Sequence, residues 1–484
     1  MPIASDAPPR PVRKPWAPRW LVVLHRYVGV VMGLLMLLWF ASGVVMLFVH
    51  WPEVTDAERE AGLPPIAWAR CCSFGDTQDV LQVQAASVEN LAGRPVLRFD
   101  GQALDLATGR MIQQVSPEAA AQVAQAYAAA HGVAGRAGAP ALVQRDQWTV
   151  TGYFDRRRPF HLFRFDDPAR TDVYVSARTG AVSQAVNARE KLLNWLGPIP
   201  HWLYPQVLRT DVRLWTQVVI WTSVTGVFLT VTGIYLGLVA WRPWRDARLT
   251  PYRGLMAWHH LTGLAAGVLA LTWVASGLFS MNPWGLFESR PDSRSEEMAG
   301  PVSFGDLKLA VEGAKAAGVS PRRLVAAPLE GRLYLMADGV RLDADGRPAP
   351  LVPATLAQAA MRLGPAQRAE LIDREDAYYY GHHEPVVLPA YRVELADGVR
   401  FYLDPASGAV LARVDGPRKA GRWLFEGLHR LDVVRGFDRG PGWAAGMVVL
   451  LVFAGAGVAT GVWLGWRRAR TDVARLMKKA PKLG

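Results

Sequence analysis

The stretch LHRYVGVVMGLLMLLWFASG, residues Leu24–Gly43, has the apolar character of a membrane-spanning helix, yet it carries a histidine near its start. A second stretch, WHHLTGLAAGVLALTWVASG, residues Trp258–Gly277, repeats the pattern at a constant separation of 234 residues, the difference between 25 and 259. The residues that match are His25/His259, Gly29/Gly263, Gly33/Gly267, Trp39/Trp273 and the Ala-Ser-Gly triplets 41–43 and 275–277. A duplicated helix that changes most of its apolar residues and keeps a histidine indicates a function for that histidine.

The chain has 484 residues, and its hydrophobic content of 51% is high for a soluble protein. Four windows that lack Asp, Glu, Lys and Arg are long enough to cross a bilayer, for which about 20 apolar residues suffice. These windows are Tyr27–Trp51, Leu214–Trp241, Leu261–Phe287 and Gly440–Trp466. The first window is too long for a signal peptide and has no small-x-small cleavage site before Pro52. The sequence therefore predicts an integral membrane protein with four transmembrane helices.

The net charge of +12 is concentrated in three places: the N-terminal tail, the loop after the second window and the C-terminal tail. Such clusters are typical of cytoplasmic segments in membrane proteins, so the charge does not point to a nucleic acid as partner. With both termini cytoplasmic, the two long segments, Pro52–Arg213 and Glu288–Arg439, fall on the outer side of the membrane.

The second and fourth windows also match, at a separation of 228 residues, the difference between 201 and 429. The matched residues include Trp195/Trp423, His201/His429, Trp215/Trp443, Thr232/Thr460 and Gly233/Gly461. The same separation aligns Arg164, Tyr174 and Gly180 with Arg392, Tyr402 and Gly408 in the outer segments. The chain is therefore interpreted as a tandem duplication, in which odd and even helices are related by an axis along the membrane normal.

The outer segments have the pattern of small α+β modules. Ser116–Gly132 is an Ala-rich helix with Ser116 as its N-cap, and Val302–Gly318 is a second helix that stops at a glycine. Alternating apolar residues around a turn predict strand-turn-strand units at Asp172–Gln184 and Arg400–Val414.

We therefore expect an α-helical four-helix transmembrane bundle that carries two outer α+β domains. The expected divisions are an N-terminal tail (1–20), helix 1 (21–51), outer domain 1 (52–190), an amphipathic segment (191–213), helix 2 (214–241), a cytoplasmic loop (242–257), helix 3 (258–287), outer domain 2 (288–420), an amphipathic segment (421–439), helix 4 (440–466) and a C-terminal tail (467–484).

Several of these motifs resemble a known family. FYLDPASGAV, with the weaker VYVSARTGAV, is similar to the strand-turn-strand of PepSY domains, and LHRYVGVVMGLL and LFEGLHRLDVV resemble helices of PepSY-associated membrane proteins. Members of that family include inner-membrane ferric-siderophore reductases with two b-type haems. The resemblance thus implies periplasmic PepSY-like domains, a bacterial inner-membrane location and reduction of a ferric compound.

Two of the matched pairs are histidines: His25 with His259, and His201 with His429. Imidazole is a common axial ligand of haem iron, and a pair related by a pseudo-two-fold axis supplies both faces of one porphyrin. The topology puts the first pair at the inner ends of its helices and the second pair at the outer face. The sequence therefore predicts two haem b groups, with Gly29, Gly33, Gly263 and Gly267 giving the cofactor room. The alternative for these glycines is a small-xxx-small contact between helices, with the histidine reaching the headgroups.

Other candidate residues lack a repeat counterpart. His382 and His383, with the nearby Tyr380, lie on the outer side and are candidates for receiving a metal or ferric chelate, or form a simple surface cluster. His50 is interpreted as an interfacial residue, and His260 as a spare ligand candidate. The only cysteines are Cys71 and Cys72, too few for an iron–sulfur cluster.

The leading functional hypothesis is an inner-membrane di-haem b electron-transfer protein, an oxidoreductase of the ferric-chelate type. Electrons would enter near His25 and His259 from a quinol or a cytoplasmic reductase and leave near His201 and His429. A non-enzymatic membrane regulator whose PepSY-like domains bind a periplasmic partner is the alternative. A transporter is a third possibility, although no predicted helix carries a carboxylate.

The predicted topology is testable with reporter fusions. Fusions at Gly135 and Gly346 should be active only with a reporter that works outside the cytoplasm, because every basic cluster then lies inside. A cytoplasmic signal at either position would contradict the arrangement.

Overall fold

The computed structural model describes residues 17–83, 85–241, 249–381, 385–432 and 440–479. Its helices are α1 (Arg19–Met46), α2 (Asp56–Ala61), α3 (Pro117–Ala130), α4 (Ala188–Leu196), α5 (Pro198–His201), α6 (Gln206–Arg209), α7 (Val212–Ala240), α8 (Leu255–Ser280), α9 (Arg294–Ala299), α10 (Phe304–Ala316), α11 (Pro353–Ala360), α12 (Gly416–Gly421), α13 (Leu428–Arg430) and α14 (Pro441–Lys479). A π-helical turn, Arg422–Gly427, joins α12 to α13. Four of the helices, α1, α7, α8 and α14, are long and apolar enough to cross a membrane.

The four long helices pack into a closed ring. Helix α1 contacts α7 and α14, and α8 contacts the same two helices from the other side. The interior is filled by a cluster of buried side chains: Met32, Met36, Phe40, Leu229, Ala266, Ala270, Trp273, Val274, Met447, Leu451 and Ala454. Since α1 and α8 are repeat partners, as are α7 and α14, equivalent helices lie diagonally across the ring.

The ends of the long helices differ from the sequence expectations. Helix α1 ends at Met46, five residues before the predicted boundary, and α8 ends at Ser280, seven residues before its boundary. Helix α14 continues to Lys479, through residues expected to form a tail. The absence of charge marks an apolar segment, but helical hydrogen bonding does not stop where charged residues begin.

The outer segments contain the predicted helices and hairpins. The Ser116 hydroxyl accepts a hydrogen bond from the Ala119 N–H at the start of α3, and Ser303 begins α10 with a capping box. The strands are β1 (Ala86–Leu91), β2 (Arg94–Phe99), β3 (Gln102–Asp105), β4 (Arg110–Met111), β5 (Ala141–Val143), β6 (Phe160–Arg164), β7 (Asp172–Ser176), β8 (Val182–Val186), β9 (Arg323–Ala326), β10 (Leu335–Ala337), β11 (Val340–Leu342), β12 (Ala366–Ile372), β13 (Ala390–Leu395), β14 (Arg400–Leu403) and β15 (Val410–Val414). The predicted strand-turn-strand units are β7–β8 and β14–β15.

These strands form three antiparallel sheets. Each half contributes a four-stranded sheet of its own, in the order β5-β6-β7-β8 and β12-β13-β14-β15. The remaining strands join in a seven-stranded sheet, in the order β11-β10-β9-β1-β2-β3-β4. In that sheet β1 pairs with β9, so that Ser87 is opposite Val325 and Val88 is opposite Leu324.

The shared sheet changes the picture of two separate outer domains. The pairing of β1 with β9 joins the two outer segments through backbone hydrogen bonds, and a buried cluster that includes Leu97, Phe304 and Leu324 lies on this sheet. Sequence reasoning missed the pairing because a strand pattern does not reveal its partner. Two segments that share a sheet must lie on the same side of the membrane, as the proposed topology requires. Beside this sheet Cys71 and Cys72 are bonded to each other.

The shared sheet predicts a specific cross-link. With Cys71 and Cys72 replaced by serine, the pair Ser87→Cys and Val325→Cys should form a disulfide, because the two residues are directly opposite in the sheet. After cleavage at a protease site inserted in the loop between α7 and α8, the two halves should stay joined on a non-reducing gel. The pair Ser87→Cys and Ala337→Cys, separated by one further strand, is the control. Equal cross-linking of both pairs, or none at Ser87/Val325, would contradict the shared sheet.

Candidate functional site

The four matched histidines lie at two levels of the helix ring. His25 and His259 are on α1 and α8, whereas His201 ends α5 and His429 lies in α13. The outer pair contacts Ser42 on α1 and Ser276 on α8. Each serine is 17 residues after the histidine of its own helix, which places the two levels about 26 Å apart along the helix axis.

The outer pair is held in the same way in both halves. His201 Nδ1 lies 3.2 Å from Ser42 Oγ and 3.1 Å from the Trp39 carbonyl oxygen. In the other half His429 Nδ1 lies 3.0 Å from Ser276 Oγ. The two imidazole rings lie edge to face, with centroids 6.0 Å apart and planes inclined at 78°.

The turns that carry the outer pair share an unusual backbone conformation. Leu203 and Leu431, two residues after each histidine, adopt left-handed φ angles of 50° and 54°. This region is costly for a leucine, so the surrounding contacts must hold it. The indole N–H of Trp215 donates to the Trp202 carbonyl at 3.0 Å, and Trp443 donates to the Arg430 carbonyl at 3.1 Å. Both halves therefore end the histidine turn with the same strained residue and the same tryptophan contact.

The inner pair is held by threonines on the neighbouring helices. His25 Nδ1 lies 3.4 Å from Thr232 Oγ1 on α7, and His259 Nδ1 lies 3.3 Å from Thr460 Oγ1 on α14. The Gly457 carbonyl oxygen lies a further 3.3 Å from His259 Nδ1.

The hydroxyl partners favour the same tautomer in all four rings. Each hydroxyl donates its one proton to a carbonyl of its own helix; the acceptors include Leu38 for Ser42, Trp273 for Ser276, Phe228 for Thr232 and Gly457 for Thr460. A hydroxyl that has donated its proton can only accept from a neighbour, so each histidine donates from Nδ1. Nε2 then keeps its lone pair, the state in which a histidine binds a metal.

The glycines next to the rings are not those that the sequence pattern emphasised. A Cβ added at Gly233 or Gly461 would lie 2.8 Å or 2.5 Å from Cε1 of His25 or His259, respectively. By contrast, Gly33 faces Val462 and Gly267 faces Ile234, so these two are helix–helix contacts. The alternative interpretation, small residues that let helices approach, is therefore right for Gly33 and Gly267. The space for each imidazole comes from a glycine on the neighbouring helix, Gly233 on α7 for His25 and Gly461 on α14 for His259.

The outer pair fits axial ligation of a single metal. With metal–nitrogen bonds of about 2.0 Å and a ring radius of about 1.2 Å, two imidazoles on opposite sides of one metal have centroids about 6.4 Å apart. The observed separation of 6.0 Å is close to this value. Within the described ranges, no cluster of three or more His, Cys, Asp or Glu side chains is arranged to hold a metal ion. A planar cofactor that supplies four ligands of its own needs only two from the protein, the number that the outer pair could offer.

The space between the two levels is apolar and aromatic. The Trp273 ring packs edge-on against Phe40, with centroids 5.8 Å apart. The buried indole N–H groups of Trp39 and Trp273, which are repeat partners, have no hydrogen-bond acceptor among the described residues. An unsatisfied buried donor costs about 1–3 kcal/mol. An acceptor oxygen on a bound group would satisfy these donors.

The remaining candidate residues have other surroundings. His260 is buried and its Nε2 lies 2.8 Å from the Gly237 carbonyl oxygen, so it ties α8 to α7. His50 is exposed after the end of α1. The Tyr380 hydroxyl donates to Glu426 in the π-helical turn. His382 and His383 lie outside the described residues.

Comparison with known proteins gives no match to a family model and none to a curated protein. The resemblance to PepSY-associated proteins therefore stays a prediction from the motifs.

The glycines beside the inner histidines give a prediction about stability. Gly233→Ala and Gly461→Ala should each destabilise the protein by about 1–3 kcal/mol, because the added methyl overlaps an imidazole that the adjacent threonine holds through Nδ1. Gly263→Ala is the matched control, since a Cβ there meets nothing within 4 Å and alanine favours the helix. Thermal unfolding in detergent measures the difference. Equal midpoints for Gly461→Ala and Gly263→Ala would contradict the packing around His259.

Proposed function

We propose that this protein spans the bacterial inner membrane, binds two haem b groups and carries electrons across the bilayer to a periplasmic ferric compound. His25 and His259 hold the inner haem, and His201 and His429 hold the outer haem. Both chain termini lie in the cytoplasm, and the three sheets lie in the periplasm.

One observation carries the proposal above the others. His201 and His429 come from different halves of the chain, pack edge to face with ring centroids 6.0 Å apart and are both anchored through Nδ1. A structural contact between two histidines would require neither the matching anchors nor two Nε2 atoms that lack a hydrogen-bond partner among the described residues. The arrangement leaves Nε2 of each ring available to ligate a metal.

The residues of the chain would have three tasks. The histidines ligate, and the Ser42, Ser276, Thr232 and Thr460 hydroxyls hold each ring at a fixed rotation. The apolar interior around Met36, Phe40 and Trp273 excludes water and so supports a low dielectric between the levels. Bound haem would supply the one-electron chemistry, while axial ligands and burial set its potential.

We assign the direction of electron transfer from the proposed surroundings of the two histidine pairs. The inner pair lies toward the basic, cytoplasmic ends of the helices, where a quinol or a cytoplasmic reductase can donate electrons. The outer pair lies beneath the sheets, where a ferric chelate can accept them. The separation of about 26 Å between levels corresponds to most of the hydrocarbon core, which is roughly 30 Å thick.

Substitution of the histidines tests the pairing. His25→Ala or His259→Ala should remove about half of the haem, because each haem needs both axial ligands of its pair. A double substitution within one pair should lose no more haem than a single one, whereas one substitution in each pair should remove nearly all. Haem content per chain, measured by the pyridine haemochrome method on protein purified from cells, gives the answer.

His131→Ala is the matched control for these variants. Its ring stacks on Tyr127 in outer helix α3, with centroids 4.2 Å apart, and lies in neither pair. If His25→Ala and His259→Ala kept the full haem content, these histidines would be helix-interface residues. A colourless wild-type protein would instead favour the regulator whose outer domains bind a partner.

A further inference from the structure

The two halves hold their outer histidines by different means. Seven residues before His429 stands Arg422, whereas the equivalent position before His201 is Asn194. Both side chains are largely buried, with exposed fractions of 10% for Arg422 and 0% for Asn194. A guanidinium in place of an amide brings a fixed positive charge and five hydrogen-bond donors to this position of the second half.

Arg422 ties together both ends of the segment that carries His429. Its Nη1 donates to Asp432 Oδ1 at 2.9 Å, and the Asp432 side chain is only 6% exposed. The guanidinium carbon also lies over the rings of Trp423 and Tyr380, at 4.9 Å and 4.6 Å from their centroids. Residues 422–432, with His429 inside, are thus closed into a loop by one buried ion pair.

The same guanidinium connects this loop to the outer sheet. Arg422 Nε donates to the Ala377 carbonyl at 3.0 Å. The adjacent Asp376 accepts hydrogen bonds from Arg392 of β13 at 2.6 Å and from Tyr402 of β14 at 2.9 Å. Burial alone would raise the pKa of the Asp376 carboxyl, but bonds from the Tyr378 N–H, Arg392 and Tyr402 outweigh burial and lower it. A continuous set of charge-assisted contacts therefore runs from the sheet to the loop that carries His429.

The first half uses aromatic packing instead. Asn194 donates to the backbone carbonyls of His50 and Glu190, at 3.2 Å and 3.0 Å. The position equivalent to Asp432 is Tyr204, which packs edge-on against Trp51 and Trp215 at centroid distances of 5.5 Å and 5.6 Å. The His201 turn therefore has no counterpart to the Arg422–Asp432 ion pair.

We propose that Arg422 is a positioning residue that sets the orientation of the His429 ring relative to the His201 ring. This inference rests on the proposed function, because ring orientation matters when both imidazoles bind one haem. The loop closed by Arg422 and Asp432 holds the backbone of His429, and Ser276 holds its Nδ1. Together they keep the ring planes at the observed 78°.

The angle between axial imidazole planes has a spectroscopic signature. When the planes are nearly perpendicular, the two iron d orbitals that interact with the rings are almost equal in energy, and the ferric low-spin EPR signal is highly anisotropic. When the planes are parallel, the orbitals split and the signal becomes rhombic. EPR therefore reports the position of the His429 ring independently of activity.

The experiment compares Arg422→Gln with its parent in a His25→Ala background, so that only the outer haem contributes. The parent should give the highly anisotropic signal, and Arg422→Gln should shift it toward the rhombic form with the haem content retained. The EPR signal of Arg422→Lys should lie between those of the parent and Arg422→Gln, because lysine keeps the positive charge but lacks the planar, multiply donating guanidinium. Arg347→Gln is the control for lost charge, since Arg347 is 75% exposed and pairs with Asp345 at the surface.

Arg422→Gln removes the guanidinium that pairs with the buried Asp432 carboxylate, and the variant can fail to fold. The double variant Arg422→Gln/Asp432→Asn removes both charges and should show the same EPR shift. In the haem-free protein, amide hydrogen exchange should rise in residues 422–432 and stay unchanged in residues 194–204. An unchanged EPR signal in a haem-containing Arg422→Gln or double variant would overturn this inference alone. Absence of haem from the wild-type protein would overturn the proposed function as well.

Discussion

The hydrogen bond from each histidine Nδ1 to a hydroxyl is the interaction on which the rest of this account depends. In all four cases the hydroxyl is placed to donate to a helix carbonyl and to accept from Nδ1, which favours the tautomer that presents Nε2 as a lone pair. The anchors at the inner level come from α7 and α14, and those at the outer level come from α1 and α8. The packing of the four helices therefore determines how the imidazoles are held. A shift of either helix in such a contact would break the hydrogen bond that holds the imidazole.

The duplication explains both the symmetry and its limits. Equivalent helices lie diagonally in the ring, and the shared sheet joins the two halves through β1 and β9. Each half alone would leave an open sheet edge and half of each histidine pair, so neither half is a complete unit. The halves diverge where the outer sheets meet the histidine turns, with an ion-pair network around Arg422 in one half and aromatic packing around Tyr204 in the other. That divergence makes the face that carries the sheets chemically asymmetric.

The sequence predicted the spans, the hairpins and the matched histidines, because a repeat exposes the positions that did not change. Thr232/Thr460 and the Ser42/Ser276 positions were among the matched residues. The sequence does not show which group a hydroxyl on an apolar helix contacts, so the histidine contacts of these residues were found only in the structure. The emphasis on Gly33 and Gly267 was misplaced for a related reason: spacing along one helix shows a shared face and not what that face contacts. The shared sheet joins residues far apart in the chain, and the Arg422–Asp432 pair joins two ends of one short segment. The spacing of apolar residues and the residues typical of turns do not predict either pairing.

The central claim is that matched histidines from the two halves hold two haem b groups in one chain. The most direct measurement is the haem-to-protein ratio of the wild-type protein, purified from its native membrane and assayed by pyridine haemochrome and amino-acid analysis. The account predicts two b-type haems per chain, both with low-spin spectra typical of two axial histidines. A ratio of one, a high-spin spectrum or a colourless protein would contradict it.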